Sequence, residues 1–171
     1  RIYLDHMSAT PTDPRVVEEM LPFFTENFGS PSSHLHEKGL KAKKAVDDSR
    51  AKVASLIQAK PDEIIFTSTG SEANNLALRG IALANKAKGK HIIISEVEHF
   101  SILYTARELE KEGFKVTYLK VDKDGLVNPH DVARAITEET VLVSIMHANN
   151  ENGVKEPIKD FGHITREKGG I

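Results

Sequence analysis

The sequence predicts an α/β fold, a largely parallel (mixed) sheet with helices on both faces. Three observations point to it. Short apolar runs suited to buried strands lie near residues 64, 92, 115 and 141, the stretches between them carry apolar residues at helical spacing, and neither an internal repeat nor a low-complexity linker interrupts the alternation. A chain of 171 residues with 39% hydrophobic content can bury one sizeable core.

In chain order, residues 1–5 (RIYLD) read as a short strand-like piece, followed by a polar loop with two prolines, HMSATPTDP. Asp13 and Pro14 open a helix whose stripe is Val16, Val17, Met20, Leu21 and Phe24, ending before Gly29. A second polar loop holds Ser30, Ser32, Ser33 and His34. Leu40, Ala42, Ala45, Val46, Val53, Ala54, Leu56 and Ile57 then outline a long helix that Pro61 closes. Residues 1–60 are thus expected to be an amino-terminal segment of loops and helices, and 61–171 part of a larger sheet domain.

The stretch 63–77, EIIFTSTGSEANNLA, is the centre of the chain. Ile64, Ile65 and Phe66 suit a buried strand. Thr69 followed by Glu72 fits a capping box, so a helix opens there with its first amides pointing back into the hinge. Free amides at a helix start attract anions, Gly70 allows close approach, and the hydroxyls of Ser68, Thr69 and Ser71 can donate. The same pattern also occurs in α/β proteins that hold no ligand there. Further along, 91–95 reads as a buried strand, 101–112 as a helix capped by Gly113, 114–119 as a strand, 122–125 as a turn, 129–136 as a short helix, 140–146 as a buried strand and 157–168 as a last helix.

A net charge of −2, from 23 basic and 25 acidic residues, gives no imbalance that suggests nucleic acid or an anionic membrane as partner. No apolar run approaches the roughly 20 residues of a membrane span, and the first residues lack a signal-peptide pattern, so a cytoplasmic location is expected. Cysteine is absent from the chain, which removes disulfides, thiolate metal sites and a cysteine nucleophile from these residues.

Ligands of parallel sheets gather at the carboxyl ends of strands. Residues 68–71, 98–101 and 149–153 all fall at such ends. His99, beside Glu98, can stack on a planar ligand or move a proton, or it can simply cap a helix. His147 reads as a hydrogen-bonded core histidine in preference to a ligand. Asn149 and Asn150 offer neutral amides, although asparagines before Gly153 also make turns. His34 and His36 have no partner motif that would make them metal ligands, and no metal site is expected.

The motifs IYLDH, TPTDPRV, FGSPSSHLHEKG, FTSTGSEANNLAL, SEVEHFSIL and VSIMHANNENGV, in that order, resemble the amino-terminal half of the cysteine desulfurases. These are pyridoxal-phosphate enzymes of the class V aminotransferase group, and the resemblance covers essentially the whole chain. It implies the large domain of fold-type I transferases, with Gly70 and Ser71 on the cofactor phosphate. His99 would stack over the pyridine ring and handle protons as the catalytic residue, and Asn150 would contact cofactor or substrate. The implied activity takes sulfur from L-cysteine, leaving L-alanine and an enzyme persulfide for iron-sulfur cluster or thio-cofactor synthesis. A sulfur-acceptor or scaffold protein and a homodimer are the implied partners.

By the same resemblance, the family's Schiff-base lysine and persulfide-forming cysteine come after the point where this chain stops. The chain alone is therefore expected to be inactive, as a fragment or one part of a split enzyme. It also carries Asn152 within ENG where a branched apolar residue is usual, and HMSAT where a variant of ATT is usual. The alternatives are another enzyme of the group, an aminotransferase or selenocysteine lyase, and a noncatalytic assembly module.

Overall fold

The computed structural model describes residues 2–169. Arg1, the first residue of the expected strand-like piece, and Gly170 and Ile171, where the chain stops, lie outside that range. The chain divides into two compact units, Arg1–Phe66 and Thr67–Ile171.

The first unit is made of helices and loops. Residues 2–5 form no strand, and Ile2 and Leu4 are exposed, because these backbone groups find no ladder partner among the described residues. The helix expected to run unbroken from Pro14 is two helices, α1 (Pro14–Met20) and α2 (Pro22–Thr25). Pro22 is the cause, since it has no N–H to continue the ladder and instead starts the second piece. Asp13 caps α1 by accepting from the Arg15 amide at 2.9 Å. Helix α3 (Glu37–Leu56) is capped by His36, whose Nδ1 accepts from the Gly39 amide at 3.1 Å. Two surface pairs, Lys43–Asp47 and Lys44–Asp48, support it at i,i+4 spacing.

Residues 64–66 are not a strand, contrary to the expectation from their apolar character. Ile64 is buried, but Ile65 and Phe66 are exposed. The Ile64 carbonyl is taken by the Arg50 guanidinium, which also lies over the Phe66 ring at 4.9 Å. A side chain thus occupies the acceptor a ladder would have used.

The second unit holds a three-stranded parallel sheet in the order β2-β1-β3, with β1 at His91–Ser95, β2 at Lys115–Leu119 and β3 at Thr140–Ser144. Ile92 pairs with Val116 on one side and Leu142 on the other, after an irregularity in the β3 register next to His91. Alternation along β1 sends its side chains to two cores. Ile92 and Ile94 meet Leu78 and Ala82 of α4 (Gly70–Asn85) and Ile102, Ala106 and Leu109 of α5 (Phe100–Lys111). Ile93 meets Val132 of α6 (Pro129–Ala135) and Phe161 of α7 (Ile158–Glu167). All three isoleucines are 0% exposed, each worth about 1.5–3 kcal/mol of burial. Helices on both faces explain why β1 reads as a continuous apolar run and not as an alternating one.

Helix α5 ends in a Schellman turn. Gly113, at φ 90°, donates to the Glu110 carbonyl, and Phe114 donates to that of Leu109 before both apolar side chains enter the core. His91 is buried at the start of β1, its Nδ1 2.7 Å from Thr140 Oγ1 and its Nε2 2.8 Å from Thr117 Oγ1. It ties the sheet together at the end away from the loops that follow the strands.

Candidate functional site

The amino end of α4 provides the first part of the site. Thr69, extended at φ −152°, caps the helix by accepting from the Glu72 amide at 3.1 Å. Glu72 does not reach back to the cap residue. Its carboxylate accepts from the Ser68 amide at 2.7 Å and the Ser68 hydroxyl at 2.6 Å, bonds that hold it below the usual carboxylate range. Ser68 is therefore committed to Glu72, and of the three hydroxyls expected to face a ligand only those of Thr69 and Ser71 are left. The amides of Gly70 and Ser71 have no acceptor among the described residues, as the first turn of a helix requires. A Cβ placed on Gly70 would meet nothing within 4 Å, so no described residue crowds the backbone on that side.

The carboxyl end of β1 provides the second part. His99 caps α5, its Nδ1 accepting from the Ser101 amide at 3.1 Å with Ser101 Oγ at 2.8 Å. Asn74 of α4 donates to that same Ser101 oxygen at 2.8 Å, and Thr105 of α5 donates to Asn75 Oδ1 at 2.8 Å. The two helices are thus joined by polar bonds beside the core contacts. Between them is a cleft of 380 Å³ whose walls include Ser71, Asn75, His99, Ser101 and Tyr104. Ser71 and His99, 28 residues apart in sequence, therefore face one space.

The loop after β3 is anchored to the loop after β1 at two points. Glu98, buried, accepts from the Met146 amide at 2.7 Å and from Ser95 Oγ at 2.8 Å. Burial pushes its carboxyl above the usual range, those two donors oppose the shift, and the Glu156 carboxylate adds to it. Asn149 is also buried. It donates to the Val97 carbonyl at 3.1 Å and accepts from the Glu151 and Asn152 amides, so its amide is consumed in holding the loop. Asn150 is exposed with its amide on Glu151 at 3.0 Å, next to the anchored residue but not among the residues lining the cleft. His147 is exposed and not in the core, because β3 ends at Ser144 and leaves it in the loop. The buried histidine is His91, at the opposite end of the sheet.

Sequence reasoning brought out Gly70, Ser71, His99 and Asn150 and placed Glu98 and Ser101 in one strand-end loop, but missed that Asn74 and Ser101 fix His99 and that Glu98 ties this loop to the one after β3. Asn74 and Ser101 stand inside the quoted motifs, yet their meeting depends on α4 lying against α5, which periodicity alone does not give. The site can seat an anionic group against the start of α4 with an exposed imidazole beside it.

The model of the aminotransferase class-V family matches residues 2–171. The chain is 57% identical over 168 residues to a cysteine desulfurase IscS of Clostridium botulinum and 49% identical over 170 residues to one of Azotobacter vinelandii. Each alignment covers 98% of this chain and 42% of the relative, so the chain spans less than half the length of these curated relatives. Among solved structures, a NifS-like protein superposes with a TM-score of 0.94 at 38% identity over 99% of this chain and 46% of its own. SspA in complex with cysteine gives 0.91 at 39% identity, covering 96% of this chain and 47% of its own.

Proposed function

The chain belongs to the aminotransferase class-V family, and from that premise we propose that it forms the phosphate- and imidazole-bearing part of a pyridoxal-phosphate cysteine desulfurase. The complete protein takes sulfur from L-cysteine, leaves L-alanine and passes the sulfur on through an enzyme persulfide. The observation that carries this reading is that Ser71 and His99 line one cleft at the start of α4 and α5. The names of its relatives and the cysteine bound to SspA support the choice of substrate.

The residues present fit the cofactor. Its phosphate needs several donors converging on open space, and the Gly70 and Ser71 amides, the Ser71 hydroxyl and the positive end of α4 supply them. Its flat ring needs a flat neighbour, which the exposed His99 imidazole supplies. When bound, pyridoxal phosphate supplies an electron sink for the bonds broken at the substrate. In this reading the α4 start fixes one end of the cofactor, His99 covers the ring and holds or moves a proton, and Asn150 offers its amide to cofactor or substrate. Glu98 and Asn149 keep the loops carrying His99 and Asn150 in register. A sulfur-accepting or iron-sulfur scaffold protein, a homodimeric assembly and a cytoplasmic setting complete the proposal.

The test is product analysis of the complete protein supplied with pyridoxal phosphate and L-cysteine. Alanine and reducible sulfur in equal amounts support the desulfurase. Amino transfer to a keto acid would assign an aminotransferase, turnover of selenocysteine alone a lyase of that substrate, and no turnover of any of these a noncatalytic module.

A further inference from the structure

His99 has a hydrogen-bonding arrangement that fixes more than its position. A backbone N–H can only donate, so the 3.1 Å bond from the Ser101 amide requires an unprotonated Nδ1. The Ser101 hydroxyl lies 2.8 Å from the same nitrogen while its oxygen accepts from Asn74 Nδ2 at 2.8 Å. Because Nδ1 carries no proton, that contact is made by the hydroxyl donating to the ring. The chain of donors runs one way, from Asn74 on α4 through Ser101 to the imidazole.

We propose that Asn74 and Ser101 are positioning residues that set His99 as the Nε2–H tautomer and fix it to the helix whose first turn bears Ser71. The nitrogen left open to a ligand is Nε2, which has no partner among the described residues. It meets a ligand as a hydrogen-bond donor. To accept a proton there, the ring must first place its own proton on Nδ1, which displaces the Ser101 amide and requires the hydroxyl to turn away. The Asn74 side chain allows that turn, since rotating its amide presents an oxygen to accept from Ser101. The proton state of His99 is thereby coupled to the helix that begins at the anion site. The assignment of the tautomer stands on this geometry alone, whereas its part in turnover rests on the desulfurase reading.

The test is long-range proton–nitrogen NMR of the histidine rings in the nitrogen-15-labelled full chain, recorded at about pH 9 where a free imidazole is neutral. The expected result for His99 is an Nε2–H pattern, preferred on the order of tenfold over Nδ1–H. Asn74→Asp should narrow the preference, because a carboxylate can only accept and draws the Ser101 hydroxyl proton to itself, leaving the Ser101 amide as the one donor to Nδ1. In a Ser101→Ala background the same change at position 74 should have no effect on the ring, since the connection is gone. The His91 signals, which depend on the intact sheet, report in the same spectra whether each variant is folded. An Nδ1–H pattern in the parent chain, or an equal response to Asn74→Asp with and without the Ser101 hydroxyl, would overturn the proposal. Neither readout requires cofactor or activity, so a failed sulfur assay leaves them independent.

Discussion

At the start of α4 the Ser71 hydroxyl and the Gly70 and Ser71 amides have no partner among the described residues, so a Ser71→Ala variant loses one donor and keeps the rest. A hydrogen bond to a charged group is worth about 1.5–3 kcal/mol, and the variant should bind pyridoxal phosphate roughly tenfold or more weakly, as read from an equilibrium titration of the complete protein. An unchanged dissociation constant would remove Ser71 from the phosphate site. His99 is exposed and contributes no core packing but caps α5, so His99→Ala should lower stability by no more than the loss of one cap, about 0.5–2 kcal/mol, while lowering turnover by about 10²-fold or more. A variant that melts early but keeps normal turnover per folded molecule would make His99 a helix cap and nothing else. These residues were legible in the sequence because Ser71 follows a glycine at a helix start and His99 lies between a strand end and a helix start. His147 was misplaced because the strand before it stops at Ser144, two residues short of where its apolar run ends.

Helix α5 shows how an element end controls the site. Its first residue is positioned by His99 and its last turn is closed by Gly113 at positive φ, with Phe114 and Leu109 packed behind it. Gly113→Ala puts a side chain into left-handed backbone and should cost about 1–2 kcal/mol, seen as a lower denaturation midpoint with an unchanged denaturant slope. Leu109→Ala, at a position 0% exposed, should cost about 2–5 kcal/mol in the same measurement. No loss in either variant would contradict the packing described. Helices with an apolar stripe, such as α3 and α5, and the continuous apolar run of β1 could be read from sequence. The segments at 2–5 and 64–66 could not, because a strand is defined by its neighbour and local apolar character carries no information about one. The break at Pro22 was legible in principle, but the apolar stripe across it hid the missing N–H.

Over the whole second unit, two buried ionisable groups give folding a pH dependence of opposite sign. Burial, and then Lys115, hold the His91 imidazole below its ordinary value of 6.5, so the unfolded chain binds a proton the folded one refuses. Its contribution is full above that value and is lost as pH falls below it, so His91→Gln should flatten the fall in melting temperature between about pH 7 and pH 5. Burial raises the Glu98 carboxyl above 4.5, so its contribution is full under acid and is lost as pH rises through the folded value. Glu98→Gln should therefore gain relative to the parent as pH rises, and a gain confined to acid would contradict the assigned direction. The α4 start and His99 are proposed to form one cofactor site. A shared site is tested most directly by nitrogen-15 NMR titration of the chain with pyridoxal phosphate, using pyridoxal without phosphate as the control. The Gly70 and Ser71 amides and the His99 ring should shift together along one binding curve, and removing the phosphate should weaken that curve. Amides and ring moving with different affinities, or an equal response to pyridoxal, would contradict it.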